Sequence, residues 1–322
     1  MTTRVAAVLL MPADKLRLRF AKTGVMRFLS HHDLMRCFER LLRRANLPVR
    51  TTAGFHPGPR IVFPSALPLG IVGWDEVVEI EFLQPQDPTE ALTTLRQHAP
   101  PGLLLNRVRP IPLTLTGRVR RAEYRLALPP ARVAELTATI QTLLAQSQLW
   151  VPRLRPTPKY LNVRPYLRHL EVRWLGPSAA TPVVPSSAEA LSADTGPAGA
   201  ATAPDHAPLM HPVPLERSAV DDPQPVLHLD LWVTQEGTAR AEEILRLLQL
   251  ADLLEQGTVL ERTCVELHDE MEHPEIVSDH PPQGPPETRP LDAHTHAALI
   301  QAEQQRRAGI VPEQRLEESV VE

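Results

Sequence analysis

The chain has 322 residues, 43% hydrophobic and only 4% aromatic, which suits about two domains with apolar cores of their own. Its two cysteines, Cys37 and Cys264, are too distant in sequence for a CxxC metal site, an iron–sulfur triplet or a disulfide framework. No run of 18 apolar residues marks a membrane helix. The formal net charge of −4 hides a split, because residues 1–176 hold 26 Lys+Arg against 12 Asp+Glu and the remainder 8 against 26. A G+C-rich genome would explain why only Lys15, Lys22 and Lys159 are lysines, but not why arginines segregate from carboxylates. The segregation predicts a polyanionic partner for the front half, nucleic acid foremost, in a cytoplasmic protein with a solvated acidic tail.

Lys15–Phe20 alternates basic and apolar residues, the pattern of a half-buried strand. Ser30 and Asp33 stand at capping spacing and open a helix to about Ala45, with Leu34, Phe38, Leu41, Leu42 and Ala45 as its buried stripe. Val49–Ala53 and Arg60–Pro64 read as short strands around the loop Gly54-Phe55-His56-Pro57-Gly58-Pro59. Glu76–Phe82 is a further strand, Asp87–His98 a helix with Pro88 in its first turn, and Leu103–Val108 a closing strand. The order then repeats: strand Glu123–Leu128, helix Ala131–Gln146, strands Trp150–Leu154 and Leu167–Trp174, strand Val226–Val233, helix Ala239–Leu250, strand Leu260–Leu267. The predicted fold class is α+β, with two tandem ferredoxin-like (split βαβ) domains over 14–116 and 117–270. A Pro/Ala/Ser/Thr-rich insertion at 176–225 and an acidic, Pro-rich tail at 271–322 read as disordered, with a polar, transiently helical stretch near Leu299–Gly309.

Three groups of residues are candidates for function. On the first helix, His32, Arg36, Arg40 and Arg43 share one face, with Arg44 beside them. One glutamate, Glu39, does not neutralise four guanidiniums, so the face suits phosphates as well as it suits plain solvation. In the Gly/Pro loop, His56 and Arg60 can meet an anion, or His56 packs in a proline turn. His31 or His32 together with His56 are weak candidates for acid–base cleavage of RNA. The stretch around Lys159, Tyr160, Arg164 and Tyr166 interleaves basic and aromatic residues, as a single-strand platform does and as a half-buried strand edge also does. Arg118, Arg120 and Arg121 extend the basic surface between the two units. Adjacent His31, His32 and Asp33 do not by themselves close a metal sphere, so neither metal nor cofactor is expected.

The block Gly24-Val25-Met26-Arg27-Phe28-Leu29-Ser30-His31-His32-Asp33-Leu34-Met35-Arg36, followed by Gly54-Phe55-His56-Pro57-Gly58-Pro59-Arg60 and Leu67-Pro68-Leu69-Gly70, resembles the radical SAM-linked family, also called DUF2344. Val163-Arg164-Pro165-Tyr166 resembles a later signature of the same family. The likeness covers 14–175 and, less clearly, 226–268. It implies a partner, a radical SAM protein with a B12-binding-type domain, for which this chain would be the accessory that holds RNA. The long insertion and acidic tail depart from the simplest family form. Three functions follow as expectations: an RNA-binding accessory of a radical SAM enzyme, a metal-independent RNA-processing or RNA-modifying enzyme using histidines, and a protein-interaction module whose arginine face meets an acidic partner.

Overall fold

A computed structural model describes residues 13–53, 55, 57–176, 223–270 and 280–307. In chain order the first half gives strand β1 (Ala13–Lys22), helix α1 (His31–Arg44), the short strand β2 (Ile61–Val62), the long strand β3 (Val72–Gln86), helix α2 (Pro88–His98) and strand β4 (Leu103–Pro110). The second half follows with β5 (Val119–Ala127), α3 (Val133–Ala145), β6 (Trp150–Arg153), β7 (Lys159–Asn162), β8 (Leu167–Leu175) and β9 (Gln224–Trp232). It closes with α4 (Ala241–Leu247), α5 (Ala251–Glu255) and β10 (Leu260–Leu267). The protein is therefore of mixed α+β class.

One eight-stranded sheet runs through both halves in the order β4-β1-β3-β10-β5-β9-β8, with β2 paired to β3. All of its pairings are antiparallel except β10 with β3, which run parallel over only two residue pairs, Glu261 with Val72 and Arg262 with Gly73. The two units predicted at 14–116 and 117–270 thus share a sheet, joined at that short seam. Apolar residues of β1 and β3 meet α1 and α2 in one core around Leu18, Phe20, Phe38, Ile80 and Leu95. A second core gathers Leu126, Ile140, Leu229, Leu231 and Ile244, and takes in Leu67 and Ile71 from the first half.

The alternation in β1 places Leu16, Leu18 and Phe20 against the helices, as expected, but the other face is not open. Lys15, Arg17 and Arg19 are buried there beside Val77, Val119, Val265 and Leu267 of a third apolar cluster. Period-2 patterning tells which residues share a face, not whether that face is covered.

Four further elements depart from the expectations. The predicted helix Ala239–Leu250 breaks into α4 and α5, with Gln249 at φ +56 between them and Leu250 N bonded to Leu245 O. Val49–Ala53 and Arg60–Pro64 give only the two-residue β2 and isolated bridges from Val49 to Phe82 and from Thr51 to Pro59. Lys159–Asn162, by contrast, takes the strand-edge reading, as β7 paired with β6. The tail predicted as disordered contributes strand β11 (Thr288–Pro290) on the free edge of β7 and helix α6 (Ala293–Arg307). An unpaired strand edge offers backbone donors and acceptors to any extended segment, and the tail takes them. The insertion at 176–225 lies outside the described residues, apart from Gly176 and the residues that enter β9.

Candidate nucleic-acid interface

Helix α1 starts as its sequence requires. Ser30 Oγ accepts from Asp33 N at 3.2 Å and donates to Asp33 Oδ2 at 2.7 Å, so both the first-turn donor and the carboxylate are satisfied. That bond, with help from Arg36, holds the Asp33 carboxyl below the usual carboxylate range. Leu34, Cys37, Phe38, Leu41 and Leu42 are buried. His32, Arg36, Arg40, Arg43 and Arg44 are exposed, which is the face the spacing predicted. Arg36 lies 3.6 Å from Asp33. Among the described residues Arg40, Arg43 and Arg44 make no ion pair, and the local Glu39–Arg43 pair is not formed. Arg43 and Arg44 also occupy the last turn, where the helix dipole favours cations.

Two of the family-like motifs, Gly24–Arg36 and Leu67–Gly70, meet at the start of α1. A 3-10 turn at Gly24–Phe28 precedes the helix, and Gly70 N bonds to Arg27 O at 2.9 Å, tying the Leu67–Gly70 turn to it. Gly24 and Gly70 have φ of +55 and +84, a left-handed region that residues with a Cβ enter only at a cost. Buried Lys22 donates to Leu29 O at 2.8 Å beneath this junction, and burial pushes its ammonium pKa down. Val25, Phe28 and Leu69 are left exposed there, Phe28 at 58% with the Arg27 guanidinium 4.5 Å over its ring. Phe55, in the Gly/Pro loop, is fully exposed. Phe55 stands in the family-like Gly54–Arg60 block, but neither aromatic was proposed as a binding residue from sequence.

The histidines do not converge into an acid–base pair among the described residues. His31 sits edge-on to Phe63 at 5.4 Å, and Phe63 in turn packs on Phe20 and Phe38, so His31 belongs to the rim of the core. His32 is exposed 6.0 Å from His31. His56 lies outside the described residues. Arg60 is exposed and pairs with Glu81 at 3.0 Å. No cluster of three metal-ligating side chains occurs among the described residues.

Most of the other predicted basic residues have internal employment. Arg120 is buried, bonded to Glu266 at 2.6 Å and lying 4.5 Å over the Trp232 ring. Arg121 joins Glu266, Asp230 and Glu123 across β5, β9 and β10. Arg118 remains exposed and lines an open cavity of about 1180 Å³ with His268 and His280. Arg164 caps α3, donating to the carbonyls of Gln146 and Leu144, and Tyr166 is buried against Gly237. Tyr160 donates to Asp292 of the tail at 2.7 Å. Its ring and that of Trp150 each lie 4.6 Å from the Arg289 guanidinium, so the tail covers this aromatic surface. Lys159, half-buried in β7, pairs by register with Arg153 and Pro290.

The arginine ladder of β5 makes the fold acid-sensitive. The hydrogen bond from His228, at 3.3 Å, and the Arg121 guanidinium hold the Glu123 carboxyl down from its ordinary 4.5 to about 2. Its contribution to stability is therefore complete above about pH 4.5 and is lost as pH falls towards 2. Thermal unfolding followed by circular dichroism between pH 5 and pH 2 should show a shallower decline for Glu123→Gln than for the parent. Parallel curves would remove Glu123 from the account. The two thiols are inert by contrast: burial, with Glu123 and Asp75 nearby, pushes Cys264 up to about 11, and burial also raises Cys37.

Fold and surface together define an α+β protein whose first helix presents an exposed run of arginines. A family model, described as an uncharacterized protein conserved in bacteria (DUF2344), matches residues 15–193, and the chain belongs to that family. No curated protein matches it. Among solved structures, a crystal structure of an unknown protein from Galdieria sulphuraria is 9% identical, covering 79% of this chain and 98% of that one at a TM-score of 0.17. That likeness is too loose to bear on fold or function. Among the described residues no helix is long and apolar enough to cross a membrane.

Proposed function

We propose that this chain is a non-catalytic RNA-binding accessory, which presents its RNA to a partner radical SAM enzyme of B12-binding type in the cytoplasm. The observation that carries the reading is the α1 face, where Arg40, Arg43 and Arg44 are exposed without carboxylate partners among the described residues. Unpaired guanidiniums on a rigid helix bind phosphates without displacing internal anions first. Exposed Phe28 and Phe55 add ring faces on which unpaired bases stack. With two cysteines in all, the chain does not supply a three-cysteine iron–sulfur motif, which leaves radical chemistry to the partner. The exposed apolar side chains Val25 and Leu69 at the start of α1 suit contact with that partner. We read each half as a split βαβ unit of ferredoxin-like type. The local strand orders β4-β1-β3-β2 and β10-β5-β9-β8, each with its first strand inside and antiparallel neighbours, support this.

The test is binding of the full chain to single-stranded RNA across a salt series. The logarithm of the association constant should fall linearly with the logarithm of salt concentration, by about 0.7 per phosphate contact, or about 3 for the four α1 arginines. No binding at low salt, or binding indifferent to salt, would overturn the reading in favour of a protein partner, sought by pull-down.

A further inference from the structure

On the sheet face away from α1 and α2, four arginines stand as two cross-strand pairs. Register places Arg17 of β1 opposite Arg109 of β4, and Arg19 opposite Arg107. Directly opposed residues have Cβ atoms about 4.5–5.5 Å apart, so like charges there are destabilising unless anions intervene. Between them opens a recess of about 370 Å³ lined by these four arginines, Val108 and Glu270, a lining with a net charge of +3. Arg17 forms its floor with a fully buried side chain, while Arg107 and Arg109 stand at its mouth, 69% and 41% exposed.

The structure answers this repulsion from within the chain. The single turn His268–Glu270 after β10 swings Asp269 and Glu270 onto the array. Glu270 Oε1 lies 3.0 Å from Arg17 Nη1 and 2.9 Å from Arg109 Nη2, while Oε2 pairs with Arg19. Asp269 Oδ2 adds contacts at 2.7 Å to Arg17 and 2.9 Å to Arg109. Burial pushes both carboxyls up, but the arginines more than offset it and hold them below the usual range. Glu270 thus bridges three guanidiniums with two oxygens, the contact pattern of a bound oxyanion. The array is still not saturated, because the Nε groups of Arg19 and Arg109 are buried without acceptors among the described residues. Glu79 also pairs with Arg17, an interaction it shares with Lys15 and the amide of Gly117, and Asp75 pairs with Arg19 at 2.8 Å and lies 3.6 Å from Arg107.

We infer that this recess is a binding site for a phosphate group, at which the Asp269–Glu270 turn is the internal counter-ion that the ligand displaces. A phosphate brings at least three acceptor oxygens in one group, which matches a ring of several guanidiniums better than the two oxygens of Glu270. Successive same-face residues on a strand are about 6.6 Å apart, so the two arginine pairs also suit two linked phosphates. The site is separate from α1 and does not depend on the reading of that helix.

Inorganic pyrophosphate titrated into the full chain by calorimetry at low salt tests it. Saturable binding is expected, weakened at least tenfold in R107A/R109A and tightened several-fold in E270Q. Should the double variant unfold, R107A alone carries the comparison at its exposed side chain. Absence of binding in both the parent and E270Q, or equal binding in the Arg107 and Arg109 variants, overturns the proposal. Competition with single-stranded RNA then identifies the source of the phosphate. Displacement marks a phosphodiester backbone, persistence marks a small phosphorylated ligand, and both support the site.

Discussion

Replacing Arg262 with alanine is expected to destabilise the fold by about 3–5 kcal/mol, because it strands a buried carboxylate. Arg262 is buried on β10, and its Nε donates to Glu76 Oε1 at 2.7 Å while Nη2 pairs with the second oxygen. Nη1 reaches Ser65 Oγ at 3.1 Å and Ala66 O at 3.2 Å, anchoring the segment that leads into Leu67. These contacts lie where β10 meets β3 over two residue pairs only, so this guanidinium reinforces the short seam between the two halves of the sheet. Gly73 leaves the room this needs, since a Cβ there would fall 2.5 Å from the Glu76 side chain. Thermal unfolding of the full chain should show Arg262→Ala losing roughly 10 °C. The double variant Arg262→Met with Glu76→Leu should recover much of that loss, because removing both charges removes the desolvation penalty with them. A single variant as stable as the parent, or a double variant no better than the single, would show that the seam does not rest on this pair.

The helices and most strands were legible because their signals are local. Ser30, Asp33 and the Leu34–Phe38–Leu41–Leu42 stripe specify α1 within fifteen residues, and the structure has that helix with those residues inside. What lay beyond reach depends on distant partners. Lys15, Arg17, Arg19, Lys22 and Arg120 enter the front-half charge count as if they were surface, yet all are buried against carboxylates or carbonyls. Several of those carboxylates, Glu266, Asp269 and Glu270 among them, come from the acidic half of the chain, so part of the charge split is internal pairing. The seam between β3 and β10 joins residues nearly two hundred positions apart, which no periodicity reports. Likewise Tyr160 and Arg164 looked like a platform because the Arg289 strand and the end of α3 that occupy them lie elsewhere in sequence.

Arg40, Arg43 and Arg44 of α1 are exposed and make no ion pair among the described residues, and their removal should be the most visible functional lesion. R40A/R43A/R44A is expected to lower the salt slope of single-stranded RNA binding by about 2, three contacts at about 0.7 each. The same relation makes the loss of affinity salt-dependent, about 100-fold at 0.1 M and nearer 10-fold at 0.3 M. The positions are exposed and alanine is the better helix former, so α1 itself should stay folded, which circular dichroism checks. Arginine-to-lysine changes at the same three positions keep the charge but lose the fork, and should preserve the slope while weakening the complex modestly. Unchanged affinity and slope in the alanine variant would move RNA, if bound, to another surface and leave α1 free for an acidic protein. A slope reduced by 2 in alanine but not in lysine would place three phosphates on this helix.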